Sequence, residues 1–216
     1  MDHFTPKLWL GMTATPDKRD DNVEGRNVYE IFNYQIAYEI RLQQAMEENL
    51  LCPFHYFGIT DLSMIGDEEA ARDFNMLTSD ERVRHIVNQA DYYGYSGDKV
   101  KGLIFCSNIK ETEELSAKFN QIINPATGKN FRTVALNGSA SEQERQDAFE
   151  RLAMNEDESS EDRQPLDYIF SVEILNEGVD IVEVNQVIML RPTQSPIVFI
   201  QQLGRGLRKA LSLIHI

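Results

Sequence analysis

Near its carboxyl end the chain reads Gln201-Gln202-Leu203-Gly204-Arg205-Gly206-Leu207-Arg208. Two arginines three positions apart, the first flanked by glycines, can present both guanidinium groups from one helix face or turn into a shared site. A guanidinium keeps its charge and donates paired hydrogen bonds in a plane, which matches phosphate. In phosphoryl transfer such groups stabilise charge on the transferred group and contribute on the order of 10³–10⁵ in rate. The same pair also suits a plain surface helix end, where positive charge complements the carboxyl-terminal dipole. Upstream, Asn176-Glu177-Gly178-Val179-Asp180 follows an apolar run that reads as a strand. There Gly178 lets the backbone approach a ligand, and Asp180 can take a ribose hydroxyl or a cation's water. Taken alone, that stretch is also the pattern of a strand-to-loop turn with solvated acids. Thr13-Ala14-Thr15-Pro16, taken alone, is a turn.

The elements that must position these residues alternate between strand and helix, the signature of an α/β domain with a mainly parallel sheet. Lys7–Met12 (KLWLGM) is a short apolar run halted by Thr13–Pro16, which predicts a buried strand ending in a loop. Ile40–Asn49 has helical spacing, Pro53–Thr60 (PFHYFGIT) is aromatic-rich and strand-like, and Asp61–Asp80 reads as an insertion or linker. Glu81–Tyr93 predicts a helix with Val83, Ile86, Val87 and Ala90 on its apolar face. Gly102–Cys106 (GLIFC) predicts a strand, with Ser107-Asn108 where a helix N-cap is wanted, and a helix to about Ile123. Thr133–Asn137 is the next strand, followed by Gly138-Ser139 and a helix over Ser141–Met154. Asn155–Arg163 (NEDESSEDR) is an acidic stretch expected as a solvated loop. Tyr168–Val172 and Gln186–Leu190 supply two more strands, and Pro196–Leu203 a helix.

The chain has 216 residues, 42% hydrophobic and 26% charged, enough for one large domain or two small ones with a real core. No stretch approaches the ~20 apolar residues of a membrane span, and the first residues lack a signal peptide's basic and apolar regions. Two cysteines, Cys52 and Cys106, are too few for a disulfide scaffold, so a reducing cytoplasm is expected and no membrane partner. The four histidines, His3, His55, His85 and His215, have no metal-ligand spacing, so no metal site is proposed. Lys+Arg 21 against Asp+Glu 35 leaves a net charge of −14. That argues against coating nucleic acid by bulk charge, but not against local contacts in a groove. Cys106 and Trp9 read as packing residues, and Tyr92, Tyr93 and Tyr95 as a helix end packed on a neighbour, with base stacking the alternative.

Taken together and in order, these stretches resemble the superfamily 2 helicases and translocases. Gly11–Pro16 is similar to motif III, Leu103–Ser107 to motif IV, Asn176–Asp180 to motif V and Gln201–Arg208 to motif VI. Leu50–Phe54 (LLCPF), NEGVD, Leu190–Ser195 (LRPTQS) and FIQQLGRGLRK are most similar to the bacterial DEAD/DEAH-box helicases of the type III restriction-subunit-like group. The resemblance implies two RecA-like domains that clamp ATP and walk along a nucleic-acid strand, DNA being favoured. Residues 51–210 would be the carboxyl-terminal RecA-like domain, 1–16 the last strand of the first such domain, and 17–50 a connection with a helix. By position, Arg205 and Arg208 match the arginine fingers. Gln201 matches the residue that positions the hydrolytic water or couples to the first domain. Gly178, Asp180 and Gly204 match nucleotide-side contacts, and Thr13, Ala14 and Thr15 the relay from hydrolysis to strand movement. Ser107, Asn108, Gly138 and Ser139 fall at strand ends where this superfamily touches the sugar-phosphate backbone.

No GxxxxGK[ST] loop occurs in the chain and no DExH or DExD box precedes Gly11. ATP and Mg²⁺ would therefore be held mainly by a missing amino-terminal RecA-like domain in cis, and the fragment alone is expected to be inactive. Leu211–Ile216 (LSLIHI) resembles the translated end of a transposon used in sequencing libraries and is expected to be a non-native tail. A non-hydrolysing nucleic-acid-binding or regulatory module is the alternative. A nucleotide-binding transferase of similar architecture is a third, and it would not need Arg205 and Arg208.

Overall fold

Four tetrapeptides rich in branched and aromatic residues form the strands: β1 (Gly102–Phe105), β2 (Thr133–Leu136), β3 (Tyr168–Ser171) and β4 (Gln186–Met189). A computed structural model of the chain describes residues 7–12, 28–51, 54–59, 74–172 and 184–190. The helices are α1 (Val28–Ile31), α2 (Leu42–Glu47), α3 (Phe74–Leu77), α4 (Asp80–Tyr93), α5 (Ile109–Phe119) and α6 (Glu142–Ala153), with a 3-10 turn at Glu156–Glu158. The chain divides into two units, Met1–Asn49 and Leu50–Ile216.

In the second unit the strand order is β2-β3-β1-β4 and all pairs are parallel. Gly102 lies opposite both Tyr168 and Gln186, and Phe105 opposite both Ser171 and Met189, so the central strands end in step. Because side chains alternate along a strand, β1 feeds two cores. Ile104 and Cys106 join Val83, Ile86, Val87, Leu115, Phe119 and Phe170, while Leu103 and Phe105 join Leu136, Ala148, Leu152, Leu166 and Ile169. Phe119 anchors the first core, its ring 5.0 Å from Phe170 and 5.5 Å from Phe131. Each fully buried side chain of this size contributes roughly 1.5–3 kcal/mol. The α/β class with a parallel sheet flanked by helices is thus as expected.

Local signals set the helix ends. Ser79 accepts the Arg82 N–H at the start of α4, and Gly94 ends that helix at φ 68°, a left-handed conformation that favours glycine. Ser141 and Glu144 form a reciprocal capping box on α6. The α5 helix stops at Phe119, short of the expected Ile123: the N–H groups of Gln121 and Ile122 tighten onto the Lys118 and Phe119 carbonyls, while the Asn120 side chain accepts the Thr133 N–H at the edge strand. Asp61–Asp80, read as a linker, contains the single turn α3 before α4 begins.

Two strand expectations are corrected. Residues 7–12 form no strand, and Leu8, Leu10 and Met12 are 90%, 78% and 91% exposed. A strand needs a neighbour for its N–H and C=O groups, and no described residue pairs with this run. Residues 54–59 likewise form no strand; side-chain stacking takes the place of a ladder, with Phe57 lying 4.1 Å from the Tyr93 ring centroid. The packing expected of Tyr93 is therefore real, whereas Tyr92 is 80% exposed. The acidic stretch 155–163 lies at the surface apart from a half-buried Arg163, as expected. No helix among the described residues is long and apolar enough to cross a membrane.

At the amino-terminal edge of the sheet polar groups lock the strands to the helices. Asn185 accepts the Lys101 N–H (2.7 Å) and donates to the carbonyls of Ser96 and Lys99. Gln186 accepts the Tyr168 hydroxyl (2.6 Å) and donates to the Ala90 and Gly94 carbonyls at the end of α4. Asp167 accepts the Arg132 N–H (2.8 Å), and burial raises its pKa from the ordinary aspartate value. Lys99 and Lys101 donate to the Met154 and Ala153 carbonyls at the end of α6.

Gly102 sits where Tyr168 crosses β1: a Cβ there would overlap the ring at Cδ1 and Cε1. Gly102→Ala is expected to destabilise the fold by about 1–3 kcal/mol, read as a lower urea midpoint at unchanged slope. Burial lowers the Lys99 pKa from 10.5 to about 8, against the opposing pull of Asp167. The unfolded chain keeps that proton over a window in which the folded chain has released it, so protonation there favours unfolding. The stability of the parent relative to Lys99→Met is therefore expected to rise from pH 8 towards pH 10, measured by urea unfolding at each pH.

Candidate nucleic-acid interface

All four strands deliver their carboxyl ends to one edge of the sheet. Ser107 and Asn108 follow β1, Asn137-Gly138-Ser139 follow β2, Ser171 closes β3 and Leu190 follows β4. Open parallel sheets bind ligands at this edge because the loops there carry backbone and side-chain groups left over from the ladder. The ends are tied together from strand to strand: the Cys106 N–H donates to Ser171 O at 2.8 Å and the Leu190 N–H to Phe105 O at 2.9 Å.

Ser107 and Asn108 are exposed, and each has only part of its polar equipment engaged within the protein. Asn108 caps α5, its Oδ1 accepting the Glu111 N–H at 2.9 Å. The Ser107 N–H donates to Glu111 Oε2 at 2.7 Å. Ser107 Oγ and Asn108 Nδ2 have no partner among the described residues and stand at the surface as donors. In the loop after β2, Asn137 Oδ1 accepts from both the Ser139 N–H (2.9 Å) and Ser139 Oγ (2.6 Å). Ser139 therefore has both its N–H and its hydroxyl proton engaged, leaving the hydroxyl lone pairs at the surface. Gly138 is exposed and a Cβ on it would meet nothing within 4 Å, while its carbonyl accepts weakly from Arg145 Nη2 at 3.4 Å. Ser171 Oγ and Arg145 Nε are buried with no partner among the described residues.

The edge is equipped for binding through hydroxyls and an amide. Cys106 is unsuited to act as a nucleophile there, since burial in the core pushes its thiol up to about 12, with Glu111 adding to the shift. Among the described residues no group of three or more His, Cys, Asp or Glu side chains could hold a metal ion.

The structure thus brings Ser107, Asn108, Gly138 and Ser139 to one sheet edge. Thr13, Ala14, Thr15, Gly178, Asp180, Gln201, Gly204, Arg205 and Arg208 lie outside the described residues, as do the helix expected at Pro196–Leu203 and the tail 211–216. Three residues of the edge were not singled out in the sequence: Asn137, Glu111 and Arg82. Asn-Gly-Ser is a turn composition, and Asn108-x-x-Glu111 has the spacing of a helix cap, so two of them left a local signal. Arg82, whose guanidinium meets Glu111 at 2.7 Å across 29 residues of chain, left none.

Residues 81–210 match the family model described as the helicase conserved C-terminal domain. Among solved structures, a fragment of a putative HsdR subunit of a type I restriction enzyme from Vibrio vulnificus YJ016 superposes with a TM-score of 0.67 at 20% identity, over 92% of this chain and 36% of that one. The ATP-dependent type ISP restriction-modification enzyme LlaBIII, in its DNA-bound structure, superposes with a TM-score of 0.53 at 16% identity, over 93% of this chain and 14% of that one. The chain thus spans little more than a third of the first and about a seventh of the second. No curated protein sequence matches. These likenesses and the parallel four-stranded sheet make the fold an α/β RecA-like one.

Asn108→Ala is expected to lower stability by about 0.5–2 kcal/mol through loss of the α5 cap. Asn108→Asp, which keeps an oxygen for the Glu111 N–H, is expected to retain most of it. Urea unfolding of the two variants side by side makes the comparison.

Proposed function

The chain belongs to the helicase conserved C-terminal domain family, and from that membership we propose that it is the second RecA-like motor domain of an ATP-dependent DNA helicase or translocase. The observation that carries this reading is the coincidence of the family match over residues 81–210 with a parallel sheet whose carboxyl edge presents small polar groups that are exposed and only partly engaged, Ser107 Oγ and Asn108 Nδ2 foremost. Such groups suit the sugar-phosphate backbone, which offers acceptors at regular intervals and no sequence information. At a net charge of −14, contact of this local kind is the mode open to the chain, since bulk attraction is not.

In this reading residues 51–210 form the motor domain, 1–16 end the first RecA-like domain, 17–50 connect the two, and 211–216 are foreign. Arg205 and Arg208 reach the γ-phosphate of ATP held in the first domain, and Gln201 helps position the attacking water. Gly178, Asp180 and Gly204 contact the nucleotide from this side. Thr13, Ala14 and Thr15 relay hydrolysis to strand movement, while Ser107, Asn108, Gly138 and Ser139 hold the nucleic-acid backbone. The phosphate cradle and the magnesium ligands come from the first domain, so this polypeptide alone does not turn over ATP. Within the superfamily we place it in the type III restriction-subunit-like group of cytoplasmic enzymes, on the LLCPF, NEGVD, LRPTQS and FIQQLGRGLRK stretches.

In the full-length protein, Arg205→Ala or Arg208→Ala is expected to lower DNA-stimulated ATP turnover by a factor on the order of 10³ or more. Binding of a fluorescent ATP analogue should be kept. Unchanged turnover in both variants would remove the arginine fingers from this account, and the non-hydrolysing module would take their place.

A further inference from the structure

Arg82 on α4 and Glu111 on α5 are 1% and 0% exposed in their side chains, and their charged atoms lie 2.7 Å apart. Replacing such a buried pair by apolar residues is often neutral or stabilising, so packing α4 against α5 does not by itself call for one. Further polar contacts of the two side chains go to strand ends and to the turn before α4. Glu111 Oε2 takes the Ser107 N–H at 2.7 Å, while Oε1 takes Arg82. Arg82 in turn donates to the Leu77 carbonyl and reaches the Leu190 carbonyl at 3.5 Å, where β4 ends. One ion pair beneath the surface therefore grips the loop after β1 and touches the exit of β4 from behind.

The geometry points to Arg82–Glu111 as the positioning pair of the nucleic-acid contact loop, an inference that rests on the function proposed above. Glu111 engages the one backbone donor of Ser107 and receives the Asn108 cap, which leaves Ser107 Oγ and Asn108 Nδ2 as the groups offered to a phosphate. Arg82 holds the Glu111 carboxylate in the orientation that takes the Ser107 N–H, while the Glu111 backbone N–H is what Asn108 caps. Neither residue touches the ligand itself.

The test uses the full-length protein and an oligothymidylate single strand, with fluorescence anisotropy for binding and ATP turnover for its consequence. Glu111→Gln keeps the size of the side chain but removes the charge that serves two donors. The double variant Arg82→Met with Glu111→Met removes the pair as a unit and avoids leaving one charge buried alone. In both, the oligothymidylate concentration at half-saturation is expected to rise roughly tenfold. The half-saturating ATP concentration and the turnover at saturating oligothymidylate should stay near the parent values. A double variant that folds and binds as the parent does would overturn the inference, and if the double variant does not fold, parent-like binding by Glu111→Gln overturns it. Asn108→Asp, which keeps the helix cap but turns a donor into a negative charge, separates the two levels. If it too leaves binding unchanged, the loop is no nucleic-acid contact and the proposed interface falls with the inference. If it weakens binding while the pair variants do not, only the positioning role falls.

Discussion

Strand β1 has a parallel neighbour on each side and a packed core on each face, with Leu103, Ile104, Phe105 and Cys106 all fully buried. Its backbone groups have no route to water, so every one must be met by the ladder, and side chains between its ends must be apolar. Polar chemistry is thereby driven to the two edges of the sheet. The edges then differ in kind. At the amino-terminal edge Asn185, Gln186, Asp167, Lys99 and Lys101 bond to backbone and ring hydroxyl groups of the protein itself. At the carboxyl edge the small groups of Ser107, Asn108 and Gly138 are exposed and only partly engaged. A closed edge and an open one follow from a single burial constraint.

What the sequence made legible follows the range of the interaction. The four strands and the ends of α4 and α6 were readable because alternation, capping spacing and a terminal glycine are local codes. The Ser141-x-x-Glu144 box and the Asn108 cap are of this sort, and so was the identification of Ser107, Asn108, Gly138 and Ser139 as strand-end groups. The runs at 7–12 and 53–60 misled for the opposite reason. Their apolar and aromatic residues favour a pleated surface, but no property of the run itself says whether a neighbouring strand exists to complete it. Phe57 finds the Tyr93 ring instead, and Leu8 and Met12 find no core among the described residues.

The contacts behind the carboxyl edge were the least readable part. Arg82 looks like an ordinary member of a charged helix, no different in sequence from the exposed Arg84, and the cap spacing that marks Glu111 says nothing of a partner on α4. Their pairing depends on how two helices pack over β1. The same holds for Gln186, which reaches back 96 residues to the Ala90 carbonyl to secure the end of α4. Local sequence thus fixes where the polar groups stand, and tertiary packing fixes the angle at which they are offered.

The end of α6 is closed in an unusual way. Its last carbonyls are taken by the Leu166 N–H and by the ammonium groups of Lys101 and Lys99, while Arg163 returns to Asp147 and Glu150 on the helix body. The acidic stretch between is bracketed by these bonds at both ends. Its tip is therefore a natural place for length to vary: a label, an affinity epitope or a whole inserted domain between Glu158 and Ser160 would hang from a closed stem. Such an addition would also lie at the sheet's amino-terminal edge, on the far side from the carboxyl ends of the strands.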